Sequence, residues 1–132
     1  MLVKNIIIFG GSGYIGSSLT QYFLQTQKKT KIFLLDIKKS KIKKKSKNIK
    51  YIKCDVRKKI NIKFNKKIDL IINLAAIHRE PGHLNEEYFD TNVEGSKNIV
   101  NFASKNKINN IIFTSSISVY GNKILKKNEN TK

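Results

Sequence analysis

The residues of this chain that could do chemistry begin with three glycines near its amino terminus. Gly10, Gly13 and Gly16 follow the pattern G-x-x-G-x-x-G, directly after the apolar run Lys4–Phe9. The first glycine of such a turn allows a tight bend, the second lets a pyrophosphate approach backbone N–H groups, and the third lets a helix pack on a sheet. A helix starting at Tyr14 would direct its positive end at the phosphates. The pattern therefore predicts a dinucleotide-binding turn.

An acidic residue, Asp36, supports this interpretation. Asp36 ends a second apolar run and lies 20 residues beyond Gly16. A carboxylate at that distance accepts hydrogen bonds from the adenosine ribose hydroxyls, and it would repel the additional phosphate of NADP. The sequence therefore favours NAD, although Lys38 and Lys39 lie close enough to leave NADP open.

A different phosphate loop can be tested against the same residues. Gly11 to Gly16 also fits the first six positions of G-x-x-x-x-G-K-S/T. The next residue is Ser17, whereas that loop needs a lysine to reach the β- and γ-phosphates. The sequence therefore argues against nucleotide hydrolysis.

Apolar runs and amphipathic stretches alternate along the rest of the chain. Short apolar runs at 4–9, 31–36, 48–53, 69–74 and 110–114 predict strands, and residues 57–67 are expected to form a short helix or a loop. Strands that alternate with helices are joined as parallel strands by right-handed crossovers. The sequence therefore predicts an α/β fold, a Rossmann-type doubly wound parallel sheet of about five strands.

Two helices are predicted between these strands, each with one apolar stripe that faces the sheet. The first helix begins at Tyr14, and the second covers residues 89–103. The predicted stripes are Ile15, Leu19, Tyr22 and Phe23 in the first helix, and Phe89, Val93, Ser96, Val100 and Ala103 in the second.

The net charge of +18 is concentrated in residues 28–67, which carry 17 lysines and Arg57 against Asp36 and Asp55. Nucleic-acid readers favour arginine for bidentate contacts and aromatic residues for stacking, yet residues 38–47 hold seven lysines and neither of those types. Lysine is also accompanied by 15 asparagines and 21 isoleucines, which share A/T-rich codons. The composition therefore favours a solvated surface without a nucleic-acid partner. A basic nucleic-acid module is the alternative.

The cysteine count, the length of the apolar runs and the spacing of the histidines bear on the cellular compartment and on metal binding. The chain has one cysteine, Cys54, which cannot form an internal disulfide and is typical of a reducing cytoplasm. No apolar run approaches the roughly 18 residues that a membrane helix needs, and no secretory signal pattern is present. The spacing of His78 and His83 does not indicate a metal site. We therefore expect a cytoplasmic protein with no membrane partner and no metal.

Four further motifs complete a recognisable set with the glycine turn and Asp36. They are Cys54-Asp55-Val56 after the third strand, Asn73-Leu74-Ala75-Ala76 at the end of the fourth, the N-x-x-G-x-x-N pattern at 92–98, and Thr114–Gly121 after the fifth strand. Together the six motifs resemble the extended short-chain dehydrogenase/reductases, specifically the NAD-dependent epimerase/dehydratase family that acts on nucleotide sugars.

The resemblance implies NAD as the cofactor and assigns roles to individual residues. Ser116 would be the catalytic serine that orients a sugar hydroxyl, Ser118 would contact substrate, and His78 would meet a diphosphate beside Arg79. The residues that would contact the cofactor are Gly10, Gly13, Tyr14, Ile15, Gly16, Asp36, Asp55, Val56, Leu74, Ala75, Ala76 and Asn92. The alternatives are structural: Ser116 and Asp55 as caps of their own backbone, and Asn92 as a buried, hydrogen-bonded asparagine.

The chain also departs from the family. The family's Tyr-x-x-x-Lys pair, which supplies the acid/base tyrosine, is absent after Tyr120, and Asn73 stands where a histidine is frequent. Residues 1–121 are therefore expected to form an incomplete NAD-binding Rossmann domain, and 122–132 the start of a loop, without the substrate-binding C-terminal part.

The expected function is the cofactor-binding portion of a nucleotide-sugar epimerase or dehydratase, an isomerase or lyase that transfers a hydride between a sugar carbon and NAD. This chain alone is expected to be inactive. The resemblance implies a nucleotide-sugar substrate and a homodimer for the intact enzyme. The alternative is a non-catalytic NAD(P)-binding regulatory protein.

Overall fold

A computed structural model describes residues 3–39, 42, 46–78, 82–120 and 128–129. Five parallel strands form one sheet in the order β3-β2-β1-β4-β5, which confirms the predicted α/β, Rossmann-type fold. The strands are β1 (Asn5–Phe9), β2 (Lys31–Asp36), β3 (Ile49–Lys53), β4 (Leu70–Asn73) and β5 (Ile111–Phe113). The helices are α1 (Tyr14–Thr26), α2 (Asn85–Tyr88) and α3 (Gly95–Lys105), with a π-helical segment (Phe89–Glu94) and a 3-10 turn (Ile117–Tyr120).

Strand β1 is the centre of the sheet because both of its faces are covered. Ile6 and Ile8 face the α1 side, where they pack with residues of β2 and β4. Ile7 and Phe9 face the α3 side. All four side chains are buried to 1% exposure or less, as expected for a parallel strand between two helical layers.

Helix α1 packs through smaller residues than the apolar stripe predicted. Gly16 and Thr20 are buried, with Leu19 and Phe23 packed beside them as predicted, whereas the predicted Ile15 and Tyr22 are 60% and 57% exposed. A Cβ on Gly16 would lie 2.7 Å from the Cα of Gly11, so the helix touches the preceding turn at this position. Because of that contact, the buried face of α1 includes Gly16 in place of the predicted Ile15.

The face predicted for α3 is also corrected. Ala103 is buried as predicted, together with Ile99 and Phe102. The predicted Phe89, Val93 and Val100 are instead 54%, 39% and 55% exposed. The π-helical segment has more residues per turn than an α-helix, so the α-helical spacing does not carry from residue 89 into α3. Edge-to-face contacts of Phe102 with the rings of Phe9 and Phe64, at centroid distances of 6.1 and 6.2 Å, then fix the buried face.

Three further segments are compared with the prediction: residues 57–67, strand β5 and the loop at 122–132. Residues 57–67 form turns and irregular backbone, which is the loop alternative of the prediction. Strand β5 is short, and its side chains are exposed, with Phe113 at 58%. The predicted loop at 122–132 lies outside the described residues except for 128 and 129.

The parallel topology collects lysines at the edge where strands begin. The lysines next to these strand starts are Lys4, Lys31, Lys47, Lys66 and Lys67. Among the described residues, Asp69 is the acid directly before a strand, and its Oδ2 accepts hydrogen bonds from the backbone N–H groups of Lys4 and Asn5. Contact with the Lys66 ammonium lowers the pKa of Lys31, because two like charges lie side by side. Lysines from separate parts of the sequence therefore lie together at the amino edge.

Replacing Phe102 by alanine tests the corrected face of α3. Phe102→Ala removes a ring at the centre of an aromatic cluster, and we expect it to lower the free energy of unfolding by about 3–5 kcal/mol. Val100→Ala, on the exposed face of the same helix, should change it by about 0.5 kcal/mol or less. Urea unfolding followed by circular dichroism measures both, and equal effects would contradict the assignment of faces.

Candidate cofactor site

The carboxyl ends of the strands gather the candidate residues at one edge. The chain runs from β1 outward through β2 to β3, and then returns to β4 on the other side of β1. Such a reversal opens a crevice between the loops that follow β1 and β4, where ligands bind in open α/β sheets. The glycine turn follows β1, and Leu74 to His78 follow β4. The topology therefore brings the two segments together.

Two of the three glycines are required by the protein's own packing. Gly10 has φ of +71°, and a Cβ there would lie 2.6 Å from the backbone carbonyl of Leu74. A Cβ on Gly16 would lie 2.7 Å from Gly11. No residue larger than glycine fits at either position without movement of the backbone.

Gly13 differs from the other two glycines. Its φ of −70° is open to any residue, and among the described residues a Cβ would meet the carbonyl oxygen of Gly10, at 3.3 Å. Tyr14 and Ile15, which follow it, expose 89% and 60% of their surface. The first turn of α1 therefore lies at an exposed part of the structure, and its first backbone N–H groups have no partner inside the helix.

The carboxylate of Asp36 connects the glycine turn with the end of β2. Its Oδ2 accepts a hydrogen bond from the backbone N–H of Ser12 at 3.0 Å, and its Oδ1 accepts one from the N–H of Lys38 at 2.9 Å. The hydroxyl of Tyr51 donates to the Asp36 carbonyl at 3.0 Å. The side chain is held in one orientation, and each oxygen keeps a lone pair for a ligand hydroxyl.

The loop after β3 is fixed by contacts that sequence analysis did not identify. Both carboxylate oxygens of Asp55 accept hydrogen bonds from the Arg57 guanidinium, at 2.9 and 2.8 Å. These bonds hold the pKa of Asp55 below its usual range, because they stabilise the charged form. The Val56 side chain is buried, so a cofactor contact from Val56 would come from its backbone. The Asp-x-Arg spacing was the available signal.

The predicted N-x-x-G-x-x-N motif connects two loops of the site. The Asn92 carboxamide accepts from the N–H of Ile77 at 2.9 Å and donates to its carbonyl at 3.0 Å. Gly95 packs on Val56, where a Cβ would lie 2.8 Å from a Val56 methyl carbon. Asn98 donates to the Val56 carbonyl at 2.9 Å. Each residue of the motif therefore fixes the backbone of a loop, and a cofactor contact from Asn92 stays a prediction.

Asn73 is buried at the end of β4, where it caps its own loop. Its Oδ1 accepts from the N–H of Ala75 at 3.1 Å, and its Nδ2 lies 3.4 Å from the hydroxyl of Ser96. Ser96 in turn donates to the Asn92 carbonyl at 2.7 Å. An asparagine can therefore fix the strand end where the family frequently has a histidine.

The predicted catalytic and substrate residues lie on the outer loops of the same edge. The Ser116 hydroxyl accepts from the N–H of Ser118 at 3.1 Å and donates to the Ser118 hydroxyl at 3.0 Å. Both serines are exposed, as are His78 and Ala76, while Leu74 and Ala75 are half-buried. Arg79 lies outside the described residues. The roles assigned to these residues stay predictions.

The order of the sheet and the loops at its carboxyl edge define an α/β domain of the Rossmann type. The chain belongs to the 3-beta hydroxysteroid dehydrogenase/isomerase family, whose model matches residues 7–132. The resemblance to extended short-chain dehydrogenase/reductases is thereby confirmed at the level of the family.

Individual relatives cover the chain to different extents. It is 45% identical over 53 residues to an N-acetyl-alpha-D-glucosaminyl-diphospho-ditrans,octacis-undecaprenol 4-epimerase of Escherichia coli O157:H7, covering 40% of this chain and 16% of the epimerase. It is 29% identical over 147 aligned positions to the dTDP-D-glucose 4,6-dehydratase of Dictyostelium discoideum, covering 98% and 32% of the two chains.

A solved structure shows the same fold. The dTDP-glucose 4,6-dehydratase of Bacillus anthracis in complex with NAD superposes with a TM-score of 0.75 at 24% identity, covering 98% of this chain and 43% of that one. The chain therefore spans less than half the length of each of these relatives.

Membrane-spanning helices and metal-binding clusters are both absent from the part of the chain that the structure describes. None of its helices is long and apolar enough to cross a membrane. Its histidines, cysteine and carboxylates form no group of three that could hold a metal ion.

The reactivity of Cys54 tests the packing behind Asp36 and Asp55. Burial, together with the two carboxylates, raises the pKa of its thiol to about 11. At pH 7.4 the thiolate fraction is then about 300-fold smaller than for an ordinary thiol. We expect modification by a thiol reagent to be slower by at least that factor in the native protein than in guanidinium. Comparable modification rates in the native and unfolded protein would contradict the burial of the Cys54 thiol.

Removing the Asn92 carboxamide tests its hold on the loop after β4. Asn92→Ala leaves both backbone groups of Ile77 without this partner, at a cost of about 1–3 kcal/mol. We expect faster hydrogen exchange at the Ile77 amide, while the Ile72 amide inside β4 keeps its protection. Asn101→Ala, on the exposed side of α3, is the matched control and should leave Ile77 unchanged.

Proposed function

We propose that this chain is the NAD-binding part of a nucleotide-sugar epimerase or dehydratase. The observation that carries the proposal is Gly13. Its backbone conformation does not require glycine, and a Cβ there would make one tight contact, 3.3 Å from the carbonyl oxygen of Gly10. A pyrophosphate that lies against the backbone N–H groups explains why this position carries no side chain.

The residues around the turn fit the rest of the cofactor. Asp36 is oriented by two backbone N–H groups and suits a pair of ribose hydroxyls. The Ser12 hydroxyl is shielded from solvent without a hydrogen-bond partner among the described residues, and a ligand oxygen would satisfy it after rotation of the side chain. Bound NAD would supply the hydride acceptor for oxidation of a sugar carbon.

The outer loops supply groups for the substrate. Ser116, held by its contacts with Ser118, would orient the reacting hydroxyl, and the exposed His78 would meet a diphosphate. Small side chains at Ala75 and Ala76 would let the cofactor approach the backbone. The acid/base tyrosine of a Tyr-x-x-x-Lys pair has no counterpart in these 132 residues.

A nucleotide sugar is proposed as the substrate because the relative that aligns with 98% of this chain is a dTDP-D-glucose 4,6-dehydratase. The other named relative is a 4-epimerase of a sugar joined through a diphosphate to undecaprenol, so it shares the sugar diphosphate and not the nucleoside. The family description favours a second candidate, a 3-beta-hydroxysteroid. Both substrates present a secondary alcohol to the same cofactor, so titration with a nucleoside diphosphate separates them: only a nucleotide-sugar site should bind UDP or dTDP.

The decisive test compares two glycines of the turn. Gly13→Ala should weaken NAD binding about 10- to 100-fold, because the added methyl group meets the pyrophosphate while the fold is retained. Gly16→Ala should lower the unfolding temperature, because its Cβ meets the backbone of Gly11. Calorimetric titration and thermal unfolding measure the two effects. Unchanged NAD affinity in Gly13→Ala, or no NAD binding by the native sequence, would contradict the proposal.

The mass of the native gene product decides whether turnover should be tested. A product more than twice the 15.2 kDa of this chain should carry the Tyr-x-x-x-Lys pair in its additional residues, and the epimerase or dehydratase assay then applies to it. A product near 15.2 kDa would favour the NAD(P)-binding regulatory protein, which should bind NAD without turnover.

A further inference from the structure

The amino edge of the sheet carries a lysine in front of every strand. Backbone pairing aligns one row of residues across the sheet, which consists of Ile49, Ile32, Ile6 and Leu70 and is continued by Asn110 before β5. The lysines that precede this row by one to three residues are, in the order of the strands, Lys47, Lys31, Lys4, Lys67 and Lys107. Adjacent strands lie about 4.8 Å apart, so these five positions form a line about 19 Å long.

Hydrogen bonds fix the backbone at several of these positions. The N–H of Lys31 donates to the Lys4 carbonyl at 2.7 Å, which joins the starts of β1 and β2. The side-chain amide of Asn5 donates to the Lys67 carbonyl at 2.9 Å, which joins β1 to the loop before β4. The spacing of the lysines is therefore set by the protein itself, and an ordered backbone lowers the entropic cost of binding a ligand.

The charge along this line is unbalanced. The carboxylate of Asp69, the acid directly before β4, accepts from the backbone N–H groups of Lys4 and Asn5. The ion pairs in the described part of the chain are Arg57–Asp55, His83–Glu87 and Lys97–Glu94, and they include none of the five lysines. Contact with Lys66 lowers the pKa of Lys31, and the charge of Lys47 adds to this effect. A bound anion would relieve this repulsion.

Codon composition explains how many lysines the chain has, and it does not explain where they lie. Helix α1 is 13 residues long, and it contains no lysine although Tyr14 and Tyr22 are exposed. The carboxyl edge has lysines too, but Asp36 and Asp55 lie among them. The amino edge is distinguished by the single sign of its charge.

The same edge also has a concave part. An open pocket of about 560 Å³ lies between the loops before β4 and β5, and Lys66, Lys67 and Lys107 line it together with Asn65 and Asn106. No carboxylate belongs to this lining. A concave surface with one sign of charge concentrates its field and attracts counter-ions. The pocket therefore suits a phosphate group.

We propose that the amino edge of the sheet binds the phosphate backbone of a nucleic acid without reading its bases. A nucleic-acid strand is a line of charges with one phosphate about every 3.4 Å along a duplex, which matches a line of lysines. The described segments before the strands, 3–4, 27–30, 46–48, 65–69 and 106–110, contain no arginine and no aromatic residue. Bidentate base contacts and base stacking are therefore not available there.

An anionic bilayer fits these observations less well. Proteins that rest stably on a bilayer combine basic residues with a second anchor, such as apolar side chains that enter the lipid. The segments before the strands expose no large apolar side chain among the described residues. This surface also differs from the basic module at 38–47, because the sheet assembles it from five separate segments.

The experiment measures binding of a labelled oligothymidylate to the full-length gene product by fluorescence anisotropy. Saturating NAD is present, so that the oligonucleotide does not enter the proposed cofactor site. Five phosphate contacts on a single strand predict a slope of about −3.5 for the logarithm of the association constant against that of the salt concentration, between about 50 and 200 mM. An oligonucleotide of mixed sequence and equal length should bind with the same affinity.

Two pairs of neighbouring lysines supply the variant and its control. Replacing Lys66 and Lys67 by glutamine removes two contacts, which should make the slope about 1.4 units shallower and weaken binding about 25-fold near 0.1 M salt. Replacing Lys58 and Lys59 by glutamine removes the same charge after β3, at the opposite edge, and should keep the native slope. Thermal unfolding confirms that both variants are folded.

Each outcome decides the proposal. A shallower slope confined to the variant at 66 and 67, with equal affinity for both oligonucleotides, supports it. An equal loss in both variants would mean that net charge alone attracts the oligonucleotide, and this would overturn the site. Competition by NAD, a strong preference for one base sequence, or binding of phosphatidylserine vesicles without binding of the oligonucleotide would also overturn it. None of these results bears on whether the chain binds NAD, which the glycine variants test separately.

Discussion

The close packing of backbone against backbone at the glycine turn is the constraint on which the rest of the site depends. Gly10 rests against the backbone at the end of β4, and Gly16 rests against Gly11, so neither contact leaves room for a Cβ. This compression brings α1 against the sheet through Gly16 and Thr20. Gly13 lies directly before α1, and the first backbone N–H groups of a helix have no partner inside the helix.

The segment around the start of α3 provides the second anchor, on the opposite face of the sheet. Asn92, within the π-helical segment, pairs with Ile77 after β4, while Gly95 and Asn98 hold Val56 after β3. One short segment thereby fixes the loops at both ends of the proposed cofactor site. The π-helical turn supports this arrangement, because it changes the angular spacing between Asn92 and the buried face of α3.

The tertiary structure shows where the charged residues lie relative to the sheet, which the net charge alone does not. Parallel strands place Asp36 and Asp55 at the carboxyl edge, whereas lysines from separate parts of the sequence meet at the amino edge. The carboxylates are both held by hydrogen bonds, so they are oriented acceptors. Other described lysines, Lys38, Lys39, Lys53, Lys58 and Lys59, lie at the carboxyl edge itself. At the amino edge, contact with Lys66 lowers the pKa of Lys31.

The sequence by itself determined where the strands lie, that they run parallel, and that the glycine turn follows β1 and Asp36 ends β2. Each of these features depends on local apolar runs or on a fixed spacing. It predicted the wrong helix faces at Ile15, Tyr22 and Val100, because both helices carry apolar residues on more than one side. Only the tertiary structure decided which side is buried, through the Gly16 contact and the Phe102 cluster. It also joined Arg57 to Asp55 and Asn98 to Val56, because hydrogen-bond partners depend on how the chain folds back on itself.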